Sequence, residues 1–204
     1  MTRYPGYDVL AKRDTPSWDE ATRRVVDARL AGPAARPVLE ERDYRTLAAL
    51  CDAVVPQPDR AEPIPVAPVV EAAIAEDRTT GTRFEGLPTM REAWGRGLAA
   101  LEAEARLRHG TAFADLTPET REALLHAVDA EEVEAPEWDG LAPRRLFRDV
   151  MADEILRVYF AHPAAWSEIG FGGPASPRGY VRLGAGRRDA WEAPFAPPPD
   201  GGER

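Results

Sequence analysis

A single cysteine, Cys51, stands among 204 residues. An intrachain disulfide is therefore excluded, and a cysteine-ligated metal site has too few ligands. Its neighbours Leu50, Val54 and Val55 predict a buried thiol rather than a reactive one. Lysine is almost missing as well: Lys12 is alone against 25 arginines, a skew ascribed to codon composition. No apolar run approaches the roughly 18–20 residues of a membrane span. The opening MTRYPGYDVLAKRD lacks the apolar centre of a signal peptide. Arg23–Arg24 resembles a twin-arginine signal only superficially, because Val25 and Val26 lead at once to Asp27 and Arg29. The expectation is a cytoplasmic chain.

Sustained strand alternation, hairpin turns, a βαβ rhythm and internal repeats are all lacking. So are the short motifs of common chemistry. There is no GxxxxGK[ST] phosphate loop, and no GxGxxG follows a strand pattern, so no nucleotide fold is indicated. The three histidines, His109, His126 and His162, form neither HxxxH nor HExxH, and without a Glu-x-x-His a di-iron bundle is unsupported. The formal net charge is −9, which keeps a chain soluble and repels nucleic acid and anionic membranes. The arginine pairs Arg144–Arg145 and Arg187–Arg188 lack the interleaved aromatics of a nucleic-acid surface.

What the chain does have is helical periodicity punctuated by proline and glycine. Pro and Gly make up 36 of the 204 residues, above the usual share of about 12%. They gather in 32–37, 56–68, 170–186 and 194–202. Between them, Ser17 with Glu20 has capping-box spacing for a helix over 17–31. Tyr44, Leu47, Leu50, Cys51, Val54 and Val55 mark one helical face, stopped by Pro56. Val66, Val69, Val70 and Ile74 give a second. Pro88 is read as the first residue of a third, carrying Met90, Trp94, Leu98, Leu101 and Ala105. There Glu104 and Arg108 form an i,i+4 pair in the favourable order, worth a few tenths of a kcal/mol.

Thr117–Pro118–Glu119 reads as cap, first-turn proline and first-turn acid. The acidic run 129–137 reads as a solvated linker. Pro143 opens the most amphipathic helix, with Leu146, Phe147, Val150, Met151, Ile155, Val158 and Tyr159 on one side. The expected fold is all-α, a compact domain of five or six helices with long irregular Pro/Gly-rich arms. Its expected divisions are an arm with a short helix over 1–40, a helical core over 41–162, and a Gly/Pro/aromatic segment over 163–204.

The stretch HPAAWSEIGFGGPASPRGYVRL, over 162–183, follows the strongest helix and has little chance of regular helix itself. Such a segment holds a shape only by packing on something. Its glycines serve either unusual backbone angles or close approach to a ligand or protein edge. Trp166, Phe171 and Tyr180 beside them have the composition of interface anchors. The tail DAWEAPFAPPPDGGER adds Trp191 and Phe195 between prolines, and an extended proline-rich arm loses little entropy on docking. The expected partner-binding residues are Trp166, Phe171, Gly172, Gly173, Tyr180, Trp191 and Phe195. His109 and His126 read as exposed. His162 reads as a helix-terminal residue near the last carbonyls. Asp153 reads as an ion-pair partner of Arg157. A small enzyme using His162 or Glu154, or a stand-alone helical ligand-binding protein, is the alternative reading.

The ordered succession YRTLAALCDAVVPQPD, PVAPVVEAAI, GLAALEAEARLRHGTAFADLTPETREALL, LFRDVMADEILRVYFAHP and WSEIGFGGPASPRGY resembles the gluconate 2-dehydrogenase subunit 3 family over about 43–183. The resemblance implies a non-catalytic accessory subunit. Its large partner would be an FAD-containing oxidoreductase of the glucose-methanol-choline (GMC) type, which oxidises a sugar, sugar acid or glycoside. In some systems a haem subunit takes the electrons. The resemblance carries no catalytic, cofactor or metal residue onto this chain, and it puts the FAD in the partner. Many members begin with a twin-arginine signal, and this sequence shows none.

Overall fold

The computed structural model describes residues 4, 6–33, 38–58, 60–77, 87–174 and 193. Among these the chain is helical and contains no strand. The helices are α1 (Glu20–Ala31), α2 (Glu41–Val54), α3 (Val66–Ala75), α4 (Met90–His109), α5 (Pro118–Asp129), α6 (Pro143–Arg145), α7 (Asp153–Ala161) and α8 (Pro163–Ile169). A π-helical stretch, Leu146–Ala152, joins α6 to α7 without a break. The all-α expectation holds. Counting that run as one element, six helices match the pattern of the sequence, and the short α8 was not expected.

The chain divides into two units. One is Pro33–Tyr159, and the other combines Met1–Gly32 with Phe160–Arg204. Within the first, α4 packs against α2, α3, the π-helical stretch and two short 3-10 turns, Phe113–Asp115 and Pro136–Trp138. The periodic residues supply its core: Leu47, Leu50, Val70, Ile74, Trp94, Leu98, Leu101, Val128, Leu146 and Ile155 are all buried. Cys51 is buried too, and loss of hydration pushes its thiol pKa up to about 12. Phe147, Val158 and Tyr159, at the edges of the expected stripe, are only half-buried.

Two helix starts differ from the sequence pattern. The cap of α1 is Asp19, whose carboxylate accepts from the Thr22 N–H at 2.7 Å, and Ser17 lies buried ahead of it. Helix α4 begins at Met90 rather than Pro88. There the Asp77 carboxylate accepts the Arg91 N–H at 3.0 Å, while Arg91 Nε donates to the Ile74 carbonyl at 3.3 Å. The end of α3 and the start of α4 thus satisfy each other's orphan groups, which a local proline rule does not anticipate.

Glu104 departs most from its sequence reading. Its side chain is 1% exposed. It accepts the N–H groups of Glu134 (3.0 Å) and Ala135 (2.9 Å), the Trp138 indole N–H (3.0 Å) and Arg108 Nε (2.5 Å). The segment read as a solvated linker therefore wraps this carboxylate, and Ala135 and Trp138 are buried. Burial pushes the Glu104 pKa up, but the backbone donors of Ala135 and Glu134, with Arg108, outweigh it and hold the net value below the ordinary carboxylate range. Glu102, two residues earlier, repeats the device, accepting the Phe113 N–H at 3.0 Å and pairing with Arg106 at 2.7 Å. On α3, Glu71 accepts the N–H groups of Val38 and Leu39, each at 3.0 Å, and fixes the approach to α2.

Gly97 sets the fit of α4 to the π-helical stretch. A methyl group there would overlap Met151 Cε and lie 2.9 Å from Leu146 Cδ2. The wider π turn brings both side chains onto this notch.

Two outcomes follow for this unit. Glu104→Gln should lower stability by about 2–3 kcal/mol in urea titrations, because four donors lose a charged acceptor. Since the folded pKa is lowered, the wild-type contribution is full above the unfolded value of about 4.3. It disappears as pH falls through the folded value, and the variant lacks this dependence. Gly97→Ala should cost about 1–3 kcal/mol by overpacking, and clearly less in a Met151→Ala background, read as coupling in a double-mutant cycle.

Candidate partner-binding site

The unit built from the chain ends holds the described part of the expected site. Helix α7 ends at Ala161, and His162 turns the chain into α8 in the extended conformation, with φ −82° and ψ 135°. Pro163 occupies the first helical position, where no N–H is needed. His162 Nδ1 accepts the Ala164 N–H at 3.2 Å. The ring thus caps the start of a new helix instead of facing the carbonyls at the end of the old one. The signal for α8 was present in the sequence as a polar residue followed by Pro163.

Helix α8 buries Ala165 and Trp166. Trp166 is 3% exposed and forms one hydrophobic cluster with Val9, Trp18 and Val26, flanked by Tyr7 and Leu10. Its indole N–H donates to the Phe160 carbonyl at 2.6 Å. The Arg29 guanidinium lies 5.5 Å from its ring centroid and donates to the Ala161 carbonyl at 3.1 Å. Trp166 is therefore a core residue of this unit, not a surface anchor. Trp18 Nε1 in the same cluster is buried with no acceptor among the described residues.

Gly170 ends α8 in the left-handed conformation, φ 69°, and both its N–H and that of Phe171 reach the Trp166 carbonyl. A side chain at Gly170 would run into the Tyr4 ring, with contacts of 2.5–2.7 Å. Gly173, φ 65°, lies against Val9 and Trp166, and a methyl there would sit 3.1 Å from Val9. The glycines thus permit close packing of this segment on the N-terminal residues.

Two consecutive carbonyls are also held from that side. Tyr7 Oη donates to the Phe171 carbonyl at 3.4 Å, and Lys12 Nζ donates to the Gly172 carbonyl. The Val9 N–H donates to Ser167 Oγ at 3.1 Å. Phe171 itself turns outward. It is 45% exposed, and its ring meets the Trp166 ring edge to face at 5.8 Å. Ile169 and Phe160 are likewise exposed apolar side chains of this unit.

Of the expected set, the structure brings together Trp166, Phe171, Gly172 and Gly173. Tyr180, Trp191 and Phe195 lie outside the described residues. Sequence reasoning missed Tyr4, Tyr7, Val9 and Lys12 as the support of this segment. The isolated lysine and the two tyrosines of the opening residues were the available signal. His126 is exposed and lies 3.7 Å from Glu122, and Asp153 pairs with Arg157 at 2.8 Å. Among the described residues no three His, Cys, Asp or Glu side chains gather as a metal site, and no helix is long and apolar enough to cross a membrane.

A model of the gluconate 2-dehydrogenase subunit 3 family matches residues 41–173. The chain belongs to that family. Neither a curated protein nor a solved structure gives a match. The gluconate 2-dehydrogenase subunit 3 match ends at Gly173, so α8 and the segment after it fall inside the family region. Their support, between Tyr4 and Lys12, falls outside it. The family name implies a subunit of a multi-subunit dehydrogenase.

Trp166 and Phe171 should separate core from surface by mutation. Trp166→Ala should lose about 3–5 kcal/mol, whereas Phe171→Ala should lose about 1 kcal/mol, the scale of one aromatic edge contact. Thermal melts of both variants, followed by circular dichroism, check the contrast.

Proposed function

We propose that this chain is a non-catalytic small subunit that binds and stabilises a large FAD-dependent oxidoreductase of the GMC type acting on a sugar, sugar acid or glycoside. Family membership is the observation that carries the reading. The exposed Phe171, presented beside the buried Trp166, supports it, because rigid aromatics concentrate binding energy at interfaces. In this reading the flavin and the proton-abstracting group belong to the large subunit. The small subunit covers apolar surface on it.

Purification of the native complex through the small subunit tests the reading. The expected result is a yellow complex with a much larger flavoprotein that oxidises a sugar or glycoside. A colourless chain of 22.4 kDa recovered alone, from cells that make the flavoprotein, overturns it. Phe171→Asp should reduce recovery of the flavoprotein at least tenfold while the small subunit stays folded.

A further inference from the structure

We propose that Lys12 is the positioning residue of the surface that docks the large subunit. It would hold the Phe171–Gly173 backbone so that the Phe171 ring is presented ready to bind. The inference rests on the accessory-subunit reading and deepens it. It makes the opening residues of the chain, which lie outside the family match, part of the interface architecture.

Lys12 is the only lysine in the chain and is 1% exposed. Lysine is almost never fully buried unless its amine is engaged. Here the amine reaches the Gly172 carbonyl, one peptide beyond Phe171. A lysine delivers a compact ammonium on a slender, flexible stem, whereas an arginine brings a wider planar fork in a fixed geometry. Tyr7 holds the preceding carbonyl, at Phe171, at 3.4 Å. Two successive carbonyls held from the same segment restrain the backbone on the C-terminal side of Phe171, and the α8 cap restrains it on the other. A ring fixed in this way loses little conformational freedom on binding, which raises affinity without any new contact.

The test uses the full chain with the purified large flavoprotein subunit. Amine acylation of Lys12, followed by peptide mass spectrometry, reports how often the segment opens, since no other lysine competes. The expected result is labelling at least tenfold slower in the complex than in the free chain. Unchanged labelling overturns the proposal, and this arm needs no variant.

Lys12→Met should weaken binding about tenfold and accelerate amide hydrogen exchange at Gly172 and Gly173. In a Phe171→Ala background the same substitution should add no further loss, because Lys12 acts through that ring. Wild-type affinity in Lys12→Met with accelerated exchange overturns the proposal. So does weakened binding with unchanged exchange, which would make Lys12 a direct contact, or an additive loss in the double variant. Failure of the wild-type chain to bind the flavoprotein at all overturns the accessory-subunit reading itself.

Discussion

The Glu104 carboxylate, buried on the central helix of the larger unit, organises more of that unit than any other single group. A buried carboxylate is costly unless hydrogen bonds replace its water. Four donors do so here, and three of them come from the segment after α5. That segment is irregular, and of its apolar side chains Ala135 and Trp138 are buried. Its position depends on the carboxylate, and through Trp138 it covers one side of α4. Glu102 and Glu71 hold two further irregular segments by the same means. Three buried glutamates therefore do for the connections what aliphatic side chains do for the helices.

The second unit follows a different logic. Its described part is small, and its cluster of Val9, Trp18, Val26 and Trp166 draws on residues far apart in the chain. Small units have little apolar surface to bury, so close backbone approach matters more. Gly170 and Gly173 supply it, and the carbonyls between them are met by Tyr7 and Lys12. The composition that suggested a free recognition segment turns out to serve packing first. Of the two described aromatics in the segment, packing takes in Trp166 and leaves Phe171 outside.

Helix α8 and the helix starts show where reading the sequence failed. His162 before Pro163 reads as the end of a helix, yet proline also begins one, and only the cap made by His162 decides between them. Asp77 and Arg91 fix the start of α4 across the gap between two helices, so no capping rule confined to the first turn contains the pair. Glu104 and Arg108 were legible as a pair four residues apart. The burial that changes the meaning of that pair depends on residues some thirty positions later.

By itself, the sequence determined the helical class, the core faces and the family. Periodic apolar residues and the order of segments are local, additive signals carried along the chain. It also determined that Cys51 would be buried, since its helical face is apolar. Only the tertiary structure decided which polar groups would be withdrawn from water and which aromatics would stay in it. Trp166 and Phe171 are both aromatic, five positions apart in one short segment, and one is core while the other is surface. That difference comes from the N-terminal residues that pack against them, and burial at such a site is a property of the assembled contacts, not of the residue.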